Sequence, residues 1–392
     1  MKILFTFVGG SGHFQPLVPI AHAAEAAGHS VTFACFHSMR SVVEQAGFAS
    51  LLLGSPTQQA TAKPERIALR APSIEREEHD LRENFARRGA RTRLAYMIEA
   101  CATWQPDIIV CDEVDFGSMI AAEYLGIPHA TVVVIAAGSF IRPDVVAEPL
   151  DELRAEYGLA PDPELAMLSR YLVLAPVPRS YRDPAFPLPA TAHELQPFVK
   201  SEAPSPPWIA AHDPSLPTIY FTLGTVFNTE SGDLFSRVLA GLADVKANVI
   251  VTVGHHIDPD EFGTQPDHIH ITQYIPQLTL LPHCDLVISH GGSGTVIASL
   301  AYGLPLLLIP MGADQLHNAD RCKALGVGEV LDALNATPSD IRNTVMTMLS
   351  TSRYRDAAQK LSDEIEALPA PAYAVSLLER LNKQPVVQQK LR

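Results

Sequence analysis

The chain has 392 residues, of which 47% are apolar and 18% charged, and its formal net charge is −14. Apolar content at this level fills sizeable cores and excludes a disordered or low-complexity chain, and the length favours two domains over one. The acidic balance excludes a sequence-independent nucleic-acid binder, because neutralising backbone phosphates needs an excess of lysine and arginine.

Strand-like runs rich in β-branched residues alternate with helical patterns in the first half of the chain. The elements predicted there are a strand over 3–8, a helix over 15–27, a strand over 31–36, a strand over 108–111, a helix over 118–125 and a strand over 130–135. Strands that alternate with helices are typical of βαβ units around a parallel sheet. We therefore predict an N-terminal α/β domain over residues 1–196.

Proline is dense between Leu188 and Pro217, where it prevents a helix or a central strand from continuing. We interpret residues 197–216 as an interdomain linker. The alternation then restarts, with strands predicted over 218–223, 248–253, 268–271, 286–289 and 306–309 and helices over 234–242 and 295–302. Residues 217–392 form the predicted second α/β domain, and whether the last helix of its tail packs back on the N-terminal domain is left open.

The chain shows no sign of export or of a disulfide framework. Its first apolar run, 3–8, is too short for the apolar region of a signal peptide or for a membrane span, so we expect a cytoplasmic protein. The five cysteines are odd in number and scattered, which predicts reduced core thiols rather than disulfides or a zinc site.

The strongest candidate site is His290-Gly291-Gly292-Ser293-Gly294-Thr295, between the strand over 286–289 and the helix that follows. Glycines let a ligand approach the backbone closely, and the free amides at a helix N-terminus favour an anion. His290 stands at the carboxyl end of its strand, where open α/β sheets bind ligands, and can donate a hydrogen bond to a phosphate oxygen. The alternative is a glycine-rich turn beside a core histidine.

A second glycine cluster, Gly9-Gly10-Ser11-Gly12, follows the first strand. It fits a dinucleotide fingerprint poorly, because the last glycine and the acidic residue at the end of the second strand are missing. His13 in the same turn is a candidate general base, with Asp112, directly after the strand over 108–111, as the carboxylate that orients its ring. Asp115 is the neighbouring competitor, and helix capping is the plainer role for these side chains.

The pair Asp314-Gln315 stands at the predicted start of a helix that ends near Leu325. A carboxylate beside an amide offers directed donors and acceptors that suit vicinal hydroxyls, and the alternative for Asp314 is a plain helix cap. Thr225, in the turn after the strand over 218–223, is placed to face the same phosphates.

Other motifs point away from metal or P-loop chemistry. No Gly-x-x-x-x-Gly-Lys-Ser/Thr loop occurs, which excludes a P-loop nucleoside triphosphatase at the level of its motif. Asp258-Pro259-Asp260 has the Asp-x-Asp form of metal-dependent sugar transferases, but proline inside a polar loop favours a turn. The histidine pairs at 255–256 and 268–270 lack further ligands at zinc spacing. We therefore predict no metal site and no cofactor.

Taken together, these residues resemble a known family. From the first strand through Asp332 the chain is similar to the bacterial natural-product glycosyltransferases of the GT-B fold, which use nucleotide sugars and are related to macrolide and plant glycosyltransferases. The most specific part of the resemblance is the spacing of Tyr274-Ile275-Pro276-Gln277, His290 to Thr295, and Asp314-Gln315. It implies an α/β fold of two Rossmann-like domains with parallel sheets facing across a cleft, with the acceptor held mainly by the first domain and the nucleotide sugar by the second.

The resemblance also implies roles for single residues. His13 matches the catalytic base and Asp112 its orienting acid, while Asp314 and Gln315 match a pair that contacts sugar hydroxyls. The full donor-binding set that it implies is Ser11, Thr225, Tyr274, Ile275, Gln277, His290, Gly292, Ser293, Gly294, Thr295, Asp314 and Gln315. Tyr274 stands where plant relatives carry tryptophan, and Ser293 stands where alanine is common and could add a hydroxyl to the phosphate site.

We accordingly expect an inverting, metal-independent glycosyltransferase of the hexosyltransferase type. It would move a sugar, by preference a deoxysugar, from thymidine diphosphate rather than uridine diphosphate to a hydrophobic aglycone in antibiotic or other secondary metabolism. The alternatives are a sugar-nucleotide epimerase or hydrolase of the same fold and a non-catalytic auxiliary protein that binds nucleotide sugars. The expected partners are the two small substrates, with no nucleic acid and no integral membrane; a homodimer and O- versus C-linked transfer are left open.

Two irregular segments, 54–93 and 139–189, are where we expect the acceptor, since they carry Phe85, Tyr96, Phe140 and Tyr171. The first segment also carries five arginines, which are Arg82, Arg87, Arg88, Arg91 and Arg93. A solvated helix face is the plain interpretation of such a charge run, and an anion site at the substrate rim is the alternative.

Overall fold

A computed structural model of the chain describes residues 1–55, 67–200, 209 and 212–384. The strands are β1 (Lys2–Thr6), β2 (Ser30–Phe36), β3 (Ala49–Leu53), β4 (Ile108–Asp112), β5 (His129–Val132), β6 (Leu172–Ala175), β7 (Ala192–Glu194), β8 (Thr218–Thr222), β9 (Asn248–Thr252), β10 (Ile269–Thr272), β11 (Leu286–Ser289), β12 (Leu306–Leu308) and β13 (Gly328–Val330). The helices are α1 (Ser11–Phe14), α2 (Val18–Ala26), α3 (Arg40–Gln45), α4 (Ile74–Asp80), α5 (Ala90–Trp104), α6 (Phe116–Leu125), α7 (Pro143–Glu156), α8 (Leu234–Leu242), α9 (Gln277–Leu280), α10 (Ser293–Ala301), α11 (Gln315–Ala324), α12 (Pro338–Ser350), α13 (Ser352–Ala367) and α14 (Ala372–Leu381), with a π-helical stretch over Leu81–Gly89.

The strands form two parallel sheets, each in a separate compact unit. The first sheet has the order β3-β2-β1-β4-β5-β6-β7 and the second the order β10-β9-β8-β11-β12-β13. The first unit lies within Met1–Thr61, Glu75–Val199 and Leu368–Arg392, and the second within Ala62–Ile74 and Lys200–Ala367. In both sheets the chain runs outward to one side and then reverses to the other, which is the doubly wound order of Rossmann-like domains. The predicted α/β fold is thereby confirmed.

Both sheets are buried because helices cover their two faces, which is why their strands are nearly continuous apolar runs. Every residue of β4 and of β8 is buried. The two reversal points fall between β1 and β4 and between β8 and β11, where Thr6 pairs with Cys111 and Thr222 with Ser289. Ligands bind outside the carboxyl ends of strands at such points, so the residues just after these four strands are the best candidates for a ligand-binding site.

The sequence pattern was least accurate at short elements and helix starts. The helix predicted over 15–27 begins at Ser11 and is interrupted by a 3-10 turn over Gln15–Leu17 that contains Pro16. The short strands β3, β6, β7 and β13 were not predicted. The helical tail over 338–381 consists of three helices, since α12 ends at Ser350 and prolines at 369 and 371 separate α13 from α14.

The last helix belongs with the first unit, where α14 packs against α2 and β6. Residues 201–208, 210 and 211 of the predicted linker lie outside the described residues, as do 56–66 of the first irregular segment and 385–392 of the tail. The predicted bounds of the linker therefore stay a prediction. In the described part of the chain no helix is long and apolar enough to cross a membrane.

Candidate active site

His13 and Asp112 come together at the carboxyl edge of the first sheet. The turn after β1 carries His13, β4 ends at Asp112, and Nδ1 of His13 lies 3.3 Å from Oδ2 of Asp112. Asp112 is completely buried, and its oxygens accept hydrogen bonds from the backbone amides of Val8 (2.8 Å) and Val114 (2.7 Å). The His13 side chain keeps 24% of its surface exposed although Nδ1 itself is buried. The carboxylate therefore lies beside one ring nitrogen, and part of the ring stays exposed to solvent.

Asp115, the competitor for this role, is engaged in a buried structural network. It is the N-cap of α6 and accepts the backbone amide of Ser118 at 3.2 Å. It also accepts the Thr6 hydroxyl at 2.6 Å and lies 3.0 Å from the buried guanidinium of Arg93. Because these partners occupy its acceptor positions, Asp115 stabilises the fold, and only Asp112 reaches His13.

His290 lies at the carboxyl end of β11 between two glycines of the second unit. A Cβ at Gly224 would come 2.7 Å from the His290 ring, and a Cβ at Gly292 would also come within 2.7 Å of it. Gly224 has a φ of +73°, which disfavours any other residue. These glycines are therefore required for the ring to sit where it does.

Burial fixes the charge state of this histidine. His290 is 8% exposed, and desolvation lowers its pKa from 6.5 to about 4. Its Nδ1 is buried, and the described residues give this atom no hydrogen-bond partner. A neutral imidazole with an unpaired polar atom is poised to exchange a hydrogen bond with a ligand, since buried polar atoms ordinarily have partners.

The helix that follows His290 offers an anion-binding terminus. Gly292 is the N-cap of the nine-residue helix α10. Because glycine has no side chain, no N-cap side chain occupies the first amides of the helix. Those amides and the helix dipole favour negative charge. Gln277, at the start of α9, donates a hydrogen bond to the Thr295 hydroxyl at 3.2 Å and so ties α9 to the first turn of α10.

Asp314 is bound to this turn by two side chains. Its Oδ2 accepts the Ser293 hydroxyl at 2.5 Å and the side-chain amide of Asn318 at 2.8 Å. Asp314 occupies the N-cap position of α11, as the alternative interpretation expects, but its side chain makes no capping hydrogen bond there and contacts Ser293 and Asn318. The Ser293 hydroxyl donates its hydrogen bond to Asp314. This contact gives the serine a role without a hydrogen bond from its hydroxyl to phosphate.

Asn318 is a residue that sequence reasoning missed. It is fully buried, and besides Asp314 its amide group lies 2.9 Å from the Gly291 carbonyl and 3.0 Å from the Ser293 hydroxyl. The available signal was its place one helical turn after Asp314, on the same face of α11. Gln315 is also buried, and its side-chain oxygen accepts the backbone amides of Met311 (2.8 Å) and Gly312 (3.1 Å).

The remaining predicted donor residues lie at the same edge of the second sheet, with one exception. Tyr274 is 53% exposed and stacks on His255, with ring centroids 5.0 Å apart, whereas Ile275 beside it is buried. Thr225 is exposed in the turn after β8, and Gly294 is exposed in the first turn of α10. Ser11, the exception, belongs to the first unit, where it begins α1.

No metal-binding group of three or more His, Cys, Asp or Glu side chains occurs among the described residues. The Asp258-Pro259-Asp260 motif is the predicted turn: Asp258 caps a 3-10 helix over Pro259–Phe262, with its side chain accepting the Asp260 amide at 3.1 Å. All five cysteines are free and buried, as predicted, and burial raises the pKa of Cys35 to about 11 and that of Cys101 to about 12.

The arginine-rich segment is a charged helix face with one buried member. Carboxylates of α7 pair with Arg82, Arg87 and Arg91, and the side chain of Arg88 bonds to Asn84 in its own segment. The interpretation as a solvated face is wrong for Arg93, which is 1% exposed. The aromatic side chains of Phe85, Tyr96, Phe140 and Tyr171 pack on the core of the first unit.

Known proteins to which this chain is similar are of one kind. The family described as "Erythromycin biosynthesis protein CIII-like, C-terminal domain" matches residues 236–381. The chain is 28% identical over 381 residues to the L-demethylnoviosyl transferase of Streptomyces niveus. The alignment covers 95% of this chain and 96% of that protein. It is 27% identical over 441 aligned residues to the aclacinomycin-T 2-deoxy-L-fucose transferase of Streptomyces galilaeus, with 98% and 97% covered.

Solved structures show the same architecture along the whole chain. A spinosyn rhamnosyltransferase in complex with thymidine diphosphate superposes with a TM-score of 0.80 at 25% identity, covering 97% of this chain and 100% of that one. A calicheamicin glycosyltransferase superposes with a TM-score of 0.78 at 23% identity, covering 97% and 98%. The shared fold therefore extends over both sheets.

Proposed function

Since the chain is a bacterial natural-product glycosyltransferase of the GT-B fold, we propose that it moves a deoxysugar from a thymidine diphosphate donor to a hydrophobic natural-product aglycone. The donor is supported by two similar proteins, a 2-deoxy-L-fucose transferase and a rhamnosyltransferase solved with thymidine diphosphate. In this proposal the reaction is an inverting displacement that needs no metal. The observation that carries it is the contact between His13 and Asp112, which supports a general base for the acceptor hydroxyl.

His13 acts as the general base. Asp112, held by two backbone amides, accepts a hydrogen bond from Nδ1–H of the ring, which fixes the tautomer with a lone pair on Nε2. Nε2 removes the proton of the acceptor hydroxyl as its oxygen bonds to the anomeric carbon, and the bond from that carbon to the diphosphate breaks on the opposite face. The buried carboxylate then stabilises the imidazolium. General base catalysis of this kind contributes about 10²–10⁴ in rate.

The second unit stabilises the departing diphosphate. Negative charge develops on the leaving oxygen, and the first amides of α10 together with the dipole of that helix lie ready to receive it. His290 is neutral at pH 7, because burial lowers its pKa to about 4. It therefore contributes a hydrogen bond to the phosphates rather than a positive charge.

The donor assignment is tested first by calorimetry of thymidine diphosphate and uridine diphosphate, each with magnesium and with EDTA. We expect thymidine diphosphate to bind more tightly than uridine diphosphate, equally well in both buffers, and to bind much more weakly to the His290→Ala variant. Absence of binding by either nucleotide would overturn the donor proposal. A strict magnesium requirement would overturn the metal-independent mechanism.

The catalytic assignment is tested with His13→Ala in transfer assays followed by mass spectrometry, using thymidine diphosphate sugars and a panel of phenolic and polyketide acceptors. We expect turnover to fall by about 10²–10⁴ while thymidine diphosphate binding persists. His22→Ala is the matched control, because His22 is a half-exposed histidine of α2 paired with Glu25. Turnover of His13→Ala equal to that of the control would refute a catalytic role for His13.

A further inference from the structure

Ser293, Asp314 and Asn318 form a hydrogen-bonded group in the second unit. The Ser293 hydroxyl and the Asn318 amide both donate to the same carboxylate oxygen, Oδ2 of Asp314, at 2.5 and 2.8 Å. Asn318 is fully buried and Asp314 is 8% exposed. The group joins the first residue of α10 to the N-terminus of α11, so it is held from two helices.

The two donors fill the acceptor capacity of Oδ2. A carboxylate oxygen has two lone-pair positions, and in Asp314 both of those on Oδ2 have a protein donor. A sugar hydroxyl cannot be received at Oδ2 unless Ser293 or Asn318 is displaced. Displacement is costly, because the displaced donor would lose a hydrogen bond to a charged acceptor in a largely buried place.

We propose that Ser293 and Asn318 determine donor specificity by closing Oδ2 of Asp314 to the sugar. This inference rests on the proposed function, in which Asp314 faces the donor sugar. In bidentate pairing, two vicinal hydroxyls donate one to each carboxylate oxygen, so one hydroxyl of a fully hydroxylated hexose meets the filled Oδ2. A deoxysugar that lacks this hydroxyl loses no hydrogen bond.

The serine is the adjustable member of the group. Its hydroxyl makes the shorter of the two contacts to Oδ2, and alanine, a good helix former, would open one acceptor position there at the first residue of α10. The amide of Asn318 also holds the Gly291 carbonyl at 2.9 Å, so its removal would disturb the glycine turn as well. Ser293→Ala is therefore the cleaner perturbation.

The experiment measures dissociation constants by calorimetry for thymidine diphosphate, for thymidine diphosphate glucose and for its monodeoxy analogues. The wild-type chain, Ser293→Ala and Ser299→Ala are compared. Ser299 is the matched control because it lies on the same helix, is fully buried, and donates its hydroxyl to the Thr295 carbonyl at 2.7 Å. Dividing each sugar nucleotide's constant by that of thymidine diphosphate removes effects on the phosphate site.

In the wild-type chain we expect one monodeoxy analogue to bind more tightly than the glucose donor. In Ser293→Ala the glucose donor should gain about tenfold relative to thymidine diphosphate, the size of one added hydrogen bond, and in Ser299→Ala the ratio should stay at the wild-type value. If the ratio in Ser293→Ala equals the wild-type ratio, or if the glucose donor binds more weakly relative to thymidine diphosphate, the inference is overturned while the proposed function still stands. Failure of the wild-type chain to bind thymidine diphosphate would overturn the proposed function, and the inference with it.

Discussion

Protonation of His290 should make the second unit unstable in mild acid. Its pKa is lowered by burial from 6.5 to about 4, so the folded chain binds this proton more weakly than the unfolded chain does. As the pH falls through 6.5 the unfolded chain takes up the proton first, and stability is lost until the pH reaches the folded pKa. Between about pH 7 and about pH 5 the loss from this one group is about 2 kcal/mol of unfolding free energy.

The measurement is urea denaturation of the wild-type chain and of His290→Asn at both pH values, followed by circular dichroism. The wild-type chain should lose about 2 kcal/mol more than the variant on acidification. The buried His129, whose pKa is also lowered by desolvation, contributes equally to both proteins and cancels in the difference. Identical pH dependence in the two proteins would mean that the ring is not desolvated, and the argument that it serves as a neutral hydrogen-bond partner would fail with it.

Two further predictions concern the residues that hold the site. Gly224→Ala should weaken thymidine diphosphate binding and destabilise the chain by more than about 1 kcal/mol, because the residue has a left-handed backbone and its Cβ would lie 2.7 Å from His290. The control is Gly326→Ala, since Gly326 has a similar φ of +71° and a Cβ there would have no neighbour within 4 Å. Both variants are measured by urea denaturation and calorimetry. Asp115→Asn should lower the unfolding free energy by about 3–5 kcal/mol, since it leaves the buried Arg93 guanidinium without its counter-charge; a loss as small as that of a surface substitution would contradict this account of the pair.

The sequence predicted the places where strands end better than it predicted the partners found there. Apolar runs followed by His13, Asp112 and His290 mark the carboxyl ends of three strands, and within each sheet parallel strands bring such ends to one edge. Asn318 escaped prediction because its contact with Gly291 depends on how α11 lies against a turn 27 residues earlier in the chain. Arg93 escaped for a similar reason, since a run of arginines does not reveal which member finds a buried carboxylate.

Asp112 and Asp115 show how the surroundings, rather than the residue type, divide catalytic from structural roles. Both are fully buried aspartates, Asp112 as the last residue of β4 and Asp115 in the turn after it. Asp115 faces the positive charge of Arg93, which balances its own. Among the described residues the partners of Asp112 are two uncharged backbone amides and the ring of His13. Its negative charge therefore remains available to a histidine that gains a proton, which is what a general base requires in the transition state.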